Sequence, residues 1–170
     1  MAPLAAEQVQ QDTRHVSYIR VVVHTAGGAK DGYDNHWSIY LLLQWGESVR
    51  ANIATDYGET AGRLEWSNLG YLLTTSAIKH WDFPVAMAIE VQHVARTIYL
   101  YNRHQYQFSG GGSGCRFWVR TIMSDFENLK WITAGTTNNL WEPLQYLYRR
   151  QKDPLPIDWV EGTFSLSYGN

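Results

Sequence analysis

The sequence has only one cysteine, Cys115, and it has no long apolar run. Both features limit the classes of protein that it can encode. One cysteine cannot form an internal disulfide or a cysteine-based zinc site, and it fits a reducing compartment. No apolar run approaches the ~20 residues that a membrane helix needs, and residues 1–20 lack the apolar core of a signal peptide. We therefore predict a cytoplasmic protein that does not interact with a membrane.

A strong excess of charge of either sign is also missing. The 14 Lys and Arg residues against 16 Asp and Glu residues give a formal net charge of -2, and the positive charges are scattered along the chain. This pattern argues against nucleic acid as a partner. The partners that remain are a small-molecule or peptide substrate and a second copy of the chain in a homodimer. The histidines show no H-x-x-x-H spacing, so we predict no metal and no cofactor.

The length of 170 residues and the 45% hydrophobic content indicate one globular domain. Residues 1–16 are polar and are predicted to be a flexible N-terminal arm, with a single domain over residues 17–170. Alternating apolar residues predict strands over Tyr18 to His24, His36 to Gln44, Ser48 to Asp56, Arg63 to Trp66, Tyr71 to Ile78, Ala86 to Glu90, Gln105 to Phe108 and Trp159 to Ser167. Helical spacing predicts helices over Gln92 to Arg103, from Cys115 onward, and over Asn138 to Arg150. The expected class is α+β, with an antiparallel sheet or partly closed barrel packed against two or three helices.

Cys115 stands at the end of a glycine run, where a helix is predicted to begin. A helix N-terminus carries unpaired N–H groups and a partial positive charge, so a thiol placed there ionises more readily. The N–H groups near Gly114 to Arg116 could also hold the oxyanion of a tetrahedral intermediate. The alternative is a buried structural thiol, because free cysteine is among the most buried residue types.

His36 is the histidine best placed to act as a partner for this thiol. A thiolate nucleophile needs a base, usually a histidine that a third polar group orients. His36 begins a predicted strand and shares one face of it with Ser38 and Tyr40, whereas Trp37 falls on the opposite face. A hydrogen-bonded structural histidine is the alternative interpretation.

Two segments carry a resemblance to a known family. The string Asn35-His-Trp-Ser-Ile-Tyr-Leu41 resembles the H-W-x-I-Y strand of the circularly permuted NlpC/P60 group, the lecithin:retinol acyltransferase-like enzymes. Gly114-Cys-Arg-Phe-Trp-Val119 resembles the N-C-x-H-F helix start of that group, and it also resembles small fungal proteins of unknown function. The histidine precedes the cysteine by 79 residues (115 minus 36), a separation similar in scale to theirs.

The resemblance implies a permuted papain-like fold with Cys115 as nucleophile and His36 as general base. The G-x-x-V-I-H segment of the family falls on Gly46 to Asn52 and implies Asn52 as the orienting residue. A three-residue turn over residues 45–47 would instead bring Asp56 opposite His36 across the hairpin. The residues expected to line the substrate site are Trp37, Ser38, Tyr40, Gly114, Arg116 and Trp118. The chain departs from the family at Gly114, Phe117 and Trp118, where the family has Asn, His and Phe.

Three functions are compatible with these features. The leading hypothesis is a cysteine-dependent hydrolase or acyltransferase that acts on an amide, ester or thioester of a soluble small molecule or peptide. The first alternative is a cofactor-free biosynthetic cyclase or isomerase, or a small-molecule-binding protein, that uses His36, Tyr40 and acidic residues in the same cleft without a thiol nucleophile. The second alternative is a non-catalytic interaction domain in which Cys115 is buried.

Overall fold

The protein is an α+β structure, as the sequence predicts, and the computed structural model describes residues 1–25, 34–110 and 113–165. Six strands form the main sheet: β1 (Ala2–Leu4), β2 (Tyr18–His24), β3 (Trp37–Leu42), β4 (Ser48–Ala54), β5 (Arg63–Leu69) and β6 (Ala77–Pro84). Two short pairs are added by β7 (Tyr106–Gln107), β8 (Tyr146–Arg149), β9 (Lys152–Pro156) and β10 (Thr163–Phe164). The helices are α1 (Ala6–Val9), α2 (Val91–Leu100), α3 (Cys115–Asn128) and α4 (Thr136–Trp141), with 3-10 turns at Gln44–Gly46 and Pro143–Gln145. None of the helices in these ranges is long and apolar enough to cross a membrane.

The main sheet is antiparallel and open. Its strand order is β1-β5-β4-β3-β2-β6, so β1 and β6 are its two edges. The barrel that we considered as an alternative is therefore wrong. The short pairs join β7 to β10 and β8 to β9, outside the main sheet.

The two faces of the sheet differ as the alternation in β3 predicts. Trp37, Ile39 and Leu41 are buried in the main apolar core, which we call the inner side. Helix α3 contributes Trp118, Ile122 and Phe126 to that core, at the four-residue spacing of one helix face. The opposite side of the sheet, the outer face, carries Ser38 and Tyr40 and a smaller apolar cluster.

Part of the outer face is covered because the chain crosses it between β5 and β6. These strands are separated by β4, β3 and β2, so residues 70–76 pass over them. The crossing segment is held by Ser48 Oγ, which donates to the carbonyl of Tyr71 at 2.6 Å, and by Arg20, which donates to the carbonyl of Leu72 at 2.7 Å. The strand predicted over Tyr71 to Ile78 is therefore wrong in its first six residues, because β6 begins at Ala77. The apolar side chains of those six residues belong to the segment that covers the outer face and not to a paired strand.

Residues 1–16 do not form the flexible arm that their polarity predicts. Strand β1 pairs with β5 at the sheet edge, and Val9 and Val16 are buried in the main core. The buried side chains of Val9 and Val16 and the pairing of β1 hold this segment against the domain, although most of its other residues are exposed.

Two further predicted elements differ from the structure. The helix predicted over Asn138 to Arg150 ends early, because Pro143 cannot continue an α-helix, and the chain then forms β8. The strand predicted over Ala86 to Glu90 is absent from the described residues; Glu90 makes an isolated bridge with His15 and precedes α2.

Candidate functional site

The structure places Cys115 and His36 on opposite sides of the main sheet. Trp37 packs in the inner core with Cys115, whereas the ring of His36 contacts Asn52 and His24 on the outer face. Among the hydrogen bonds of the described residues, none joins the thiol to the imidazole. The two side chains that the sequence led us to pair are therefore not brought together.

Cys115 is a buried thiol at the first residue of α3, with an exposed fraction of 6%. Its Sγ donates to the carbonyl oxygen of Asn35 at 3.5 Å and accepts the backbone N–H of Trp37. Burial raises the pKa of Cys115 to about 12, and the nearby carboxylate of Asp34 adds to this effect. The N–H groups at the helix start favour the thiolate, but the loss of hydration outweighs them.

Glycine is required at position 114 because the backbone there packs closely against Tyr106. Its φ of 125° lies in the region that favours glycine, and an added Cβ would stand 2.8 Å from the Tyr106 hydroxyl. That hydroxyl donates to the carbonyl of Gly114 at 2.6 Å and accepts the N–H of Gly162 at 3.0 Å. This packing accounts for the glycine, so no substrate binding at the backbone is needed to explain it.

The remaining predicted residues on the inner side have structural partners. Arg116 is buried and donates to the carbonyls of Leu144 and Asp158, both at 2.7 Å. Trp118 donates through Nε1 to the carbonyl of Arg103 at 2.8 Å. Trp37 stacks on Trp81 with ring centroids 5.4 Å apart. These side chains build the core and do not contact His36.

On the outer face, Asn52 is the residue that contacts His36. The amide of Asn52 donates through Nδ2 to the Glu65 carboxylate at 3.3 Å, which turns its carbonyl oxygen Oδ1 toward Nε2 of His36. Because Oδ1 can only accept, Nε2 must carry the proton in the neutral imidazole. The other ring nitrogen, Nδ1, is then the one with a free lone pair.

Asp56, the other candidate for the orienting group, lies elsewhere. Its carboxylate forms an ion pair with Arg63 at 2.9 Å, and its side chain is 71% exposed. The prediction that it pairs with His36 is wrong because the β3–β4 connection is two residues longer than the turn we assumed. Leu42 pairs with Ser48, and the five residues between them include the 3-10 turn.

His24, which is not among the predicted site residues, lies beside His36 on the outer face. Its Nε2 contacts Ser38 Oγ at 2.6 Å and its Nδ1 contacts Ser76 Oγ at 2.8 Å. Burial, with the nearby His36 and Arg50, lowers the pKa of His24 to about 3. Its sequence signal is weak but present: it ends β2 on the same face as Ser38, which pairs with Val22.

Both histidines are neutral at pH 7. Burial also lowers the pKa of His36, although the hydrogen bond to Asn52 acts in the opposite direction. Tyr40, whose ring centroid lies 6.2 Å from that of His24, is fully buried, and burial raises its pKa, so it stays a phenol.

We call His24, His36, Ser38, Asn52 and Glu65 the histidine cluster. In the part of the chain that the structure describes, no group of three or more His, Cys, Asp or Glu side chains is arranged to hold a metal ion.

Comparison with known proteins places the chain in a family. No curated protein and no solved structure matches it. One family model matches residues 19–165, which include β3 to β10 and all of β2 except Tyr18, and therefore both the histidine cluster and Cys115. The chain belongs to the family described as a domain of unknown function, DUF7770.

Proposed function

We propose that the protein is a cofactor-free enzyme that moves a proton on a small-molecule substrate, as an isomerase or cyclase does, with His36 as the general base. The observation that carries the proposal is the chain of contacts from Glu65 through Asn52 to Nε2 of His36. This chain fixes the tautomer and leaves Nδ1 as the basic nitrogen. A base held by a second polar group is the arrangement that general base catalysis uses.

The chemistry follows from the charges around the ring. When Nδ1 removes a proton from a substrate carbon, the imidazole becomes a cation whose Nε2–H still donates to Asn52. Burial and the charge of Arg50 lower the pKa of His36, whereas the hydrogen bond to Asn52 and the carboxylates of Glu65 and Asp34 favour that cation. Return of the proton to a different atom completes an isomerisation, with no change of oxidation state and no cofactor.

The lowered pKa of His36 suits this role. Burial disfavours the imidazolium, so the ring is unprotonated at neutral pH and is ready to accept a proton. His36 is only half-buried, whereas His24 has both nitrogens occupied by serine hydroxyls. We therefore assign the base to His36 and a supporting role to His24.

Cysteine chemistry has less support from the same observations. A thiol whose pKa is raised to about 12 is protonated at neutral pH, and the thiolate is the nucleophilic form. Its neighbours are the backbone of Asn35 and Trp37 and not a histidine. We therefore prefer proton transfer over acyl transfer as the activity.

The proposal can be tested with 5-nitrobenzisoxazole, whose ring opens when a base removes one carbon-bound proton. We expect the protein to accelerate this elimination and His36→Gln to lower the rate by about 10²-fold, the contribution of a positioned general base. Cys115→Ala is the matched control and should keep the wild-type rate. Equal rates in wild type and His36→Gln would contradict the proposal. Loss of the elimination rate in Cys115→Ala alone would show that the thiol, and not His36, is required.

A further inference from the structure

A basic cleft lies between the edge strand β6 and the β8–β9 hairpin. Its volume is about 350 Å³, within the range of small-molecule sites. Its lining includes Lys79, Tyr148, Arg149, Arg150, Lys152 and Pro154. None of them belongs to the histidine cluster.

The cleft concentrates positive charge in a chain whose formal net charge is -2. Lys79 comes from β6, and Arg149, Arg150 and Lys152 come from the hairpin, while no Asp or Glu is among the lining residues. Walls of one charge sign raise the local concentration of a ligand of the opposite sign. The ligand that fits this lining is therefore an anion.

The two arginines are held in place with donors to spare. Arg149 donates through Nη2 to the carbonyl of Asp153 at 2.8 Å, and Arg150 donates through Nη2 to the carbonyl of Thr75 at 2.6 Å. A guanidinium carries five N–H donors, so the other donors of Arg149 and Arg150 can serve an oxyanion in the cleft.

An adjoining cavity of about 230 Å³ supplies a second kind of surface. It shares Lys79, Tyr148 and Pro154 with the basic cleft and is otherwise lined by Glu142, Pro143 and Tyr146. The rings of tyrosine and proline suit a flat apolar group. Lys79 marks the junction, since its Nζ lies 5.3 Å from the ring centre of Trp81 and 5.9 Å from that of Tyr148.

We infer that this cleft binds a small aromatic molecule that carries an oxyanion such as phosphate. The anionic group lies against Arg149, Arg150 and Lys152, and the ring lies along Tyr148 toward Tyr146. Glu142 at the far end disfavours the reversed orientation, because it would oppose the anionic group. The inference is independent of the proposed function, since the two sites share no residue.

Calorimetric titration of the full chain with 1-naphthyl phosphate tests the inference. The double variant Arg150→Glu/Lys152→Glu should raise the Kd at least about tenfold, as the loss of charge-assisted hydrogen bonds predicts. The matched control is Arg96→Glu/Lys130→Glu, which changes the net charge equally at exposed positions on α2 and after α3. The control should keep the wild-type Kd.

Three outcomes would overturn the inference. The first is that 1-naphthyl phosphate does not bind. The second is an equal loss of affinity in both double variants, which would show attraction to net charge and not a site. The third is that inorganic phosphate binds as tightly as 1-naphthyl phosphate, which would show that the aromatic ring contributes nothing to the affinity. Weaker binding of both inorganic phosphate and 1-naphthol supports the two-part site.

Discussion

The rings of His24 and His36 lie 5.5 Å apart, centroid to centroid, with 36° between their planes. Burial lowers the pKa of both rings, and the nearby His36 lowers that of His24 further. The pair is therefore stable as two neutral imidazoles. Protonation of either ring is unfavourable in the folded state, and this gives its stability a dependence on pH.

We predict that the protein loses stability as the pH falls from 7 to 5. The pKa of His24 is about 3 in the folded protein, against 6.5 for an ordinary histidine. The unfolded chain thus binds more protons between these values, so the stabilisation is complete above pH 6.5 and declines below it. His24 alone should cost about 2 kcal/mol at pH 5.

Urea unfolding followed by tryptophan fluorescence at several pH values measures this dependence. His24→Gln removes one titrating group and should make the decline between pH 7 and pH 5 about 2 kcal/mol smaller, whatever its effect on the stability at pH 7. The same decline in wild type and variant would contradict the assignment to His24.

The contact between His36 and Asn52 makes a second prediction, on the tautomer. In wild type the ¹⁵N spectrum should show His36 protonated at Nε2, because the Asn52 oxygen is an acceptor. Asn52→Ala should give a mixture of both tautomers and slow the elimination of 5-nitrobenzisoxazole. Asp56→Ala is the control and should change neither, because Asp56 is paired with Arg63. An unchanged spectrum in Asn52→Ala would contradict the positioning role of Asn52.

The sequence predicts those parts of the fold that depend on local pattern. Strand β2 occupies the predicted span from Tyr18 to His24, and α3 begins at Cys115 as predicted. Alternation assigned Trp37 and Tyr40 to different faces, because successive side chains in any strand alternate. No knowledge of the strand order is needed for these predictions.

The site depends on information that local pattern does not contain. Whether α3 packs against the face that carries Trp37 or the face that carries His36 is decided by the whole sheet, so spacing alone could not show that Cys115 lies on the inner side. His24 joins the cluster through Ser76, on a segment that crosses the sheet only because β5 and β6 are far apart in the strand order. The basic cleft is not predictable for a similar reason, because the sequence pattern predicts a helix at Arg149, which lies in β8.

A third prediction concerns the reactivity of Cys115. At pH 8 a thiol with a pKa of about 12 is a thiolate in only about one molecule in 10⁴. Iodoacetamide should therefore label the native protein slowly and the urea-unfolded protein quickly. His36→Ala should not change the native rate, because the two side chains lie on opposite sides of the sheet. Fast native labelling that His36→Ala abolishes would contradict the buried position and would support the thiol mechanism.

A fourth prediction tests whether Gly114 serves packing or catalysis. Alanine at this position would adopt a φ of 125° and place its Cβ 2.8 Å from the Tyr106 hydroxyl. Gly114→Ala should thus lower the free energy of unfolding by about 2 kcal/mol or more. Gly110→Ala is the matched control, since its Cβ would meet no atom within 4 Å. If the folded Gly114→Ala protein keeps its elimination rate, the glycine is required by Tyr106 and not by an oxyanion; equal stability of the two variants would contradict the packing role.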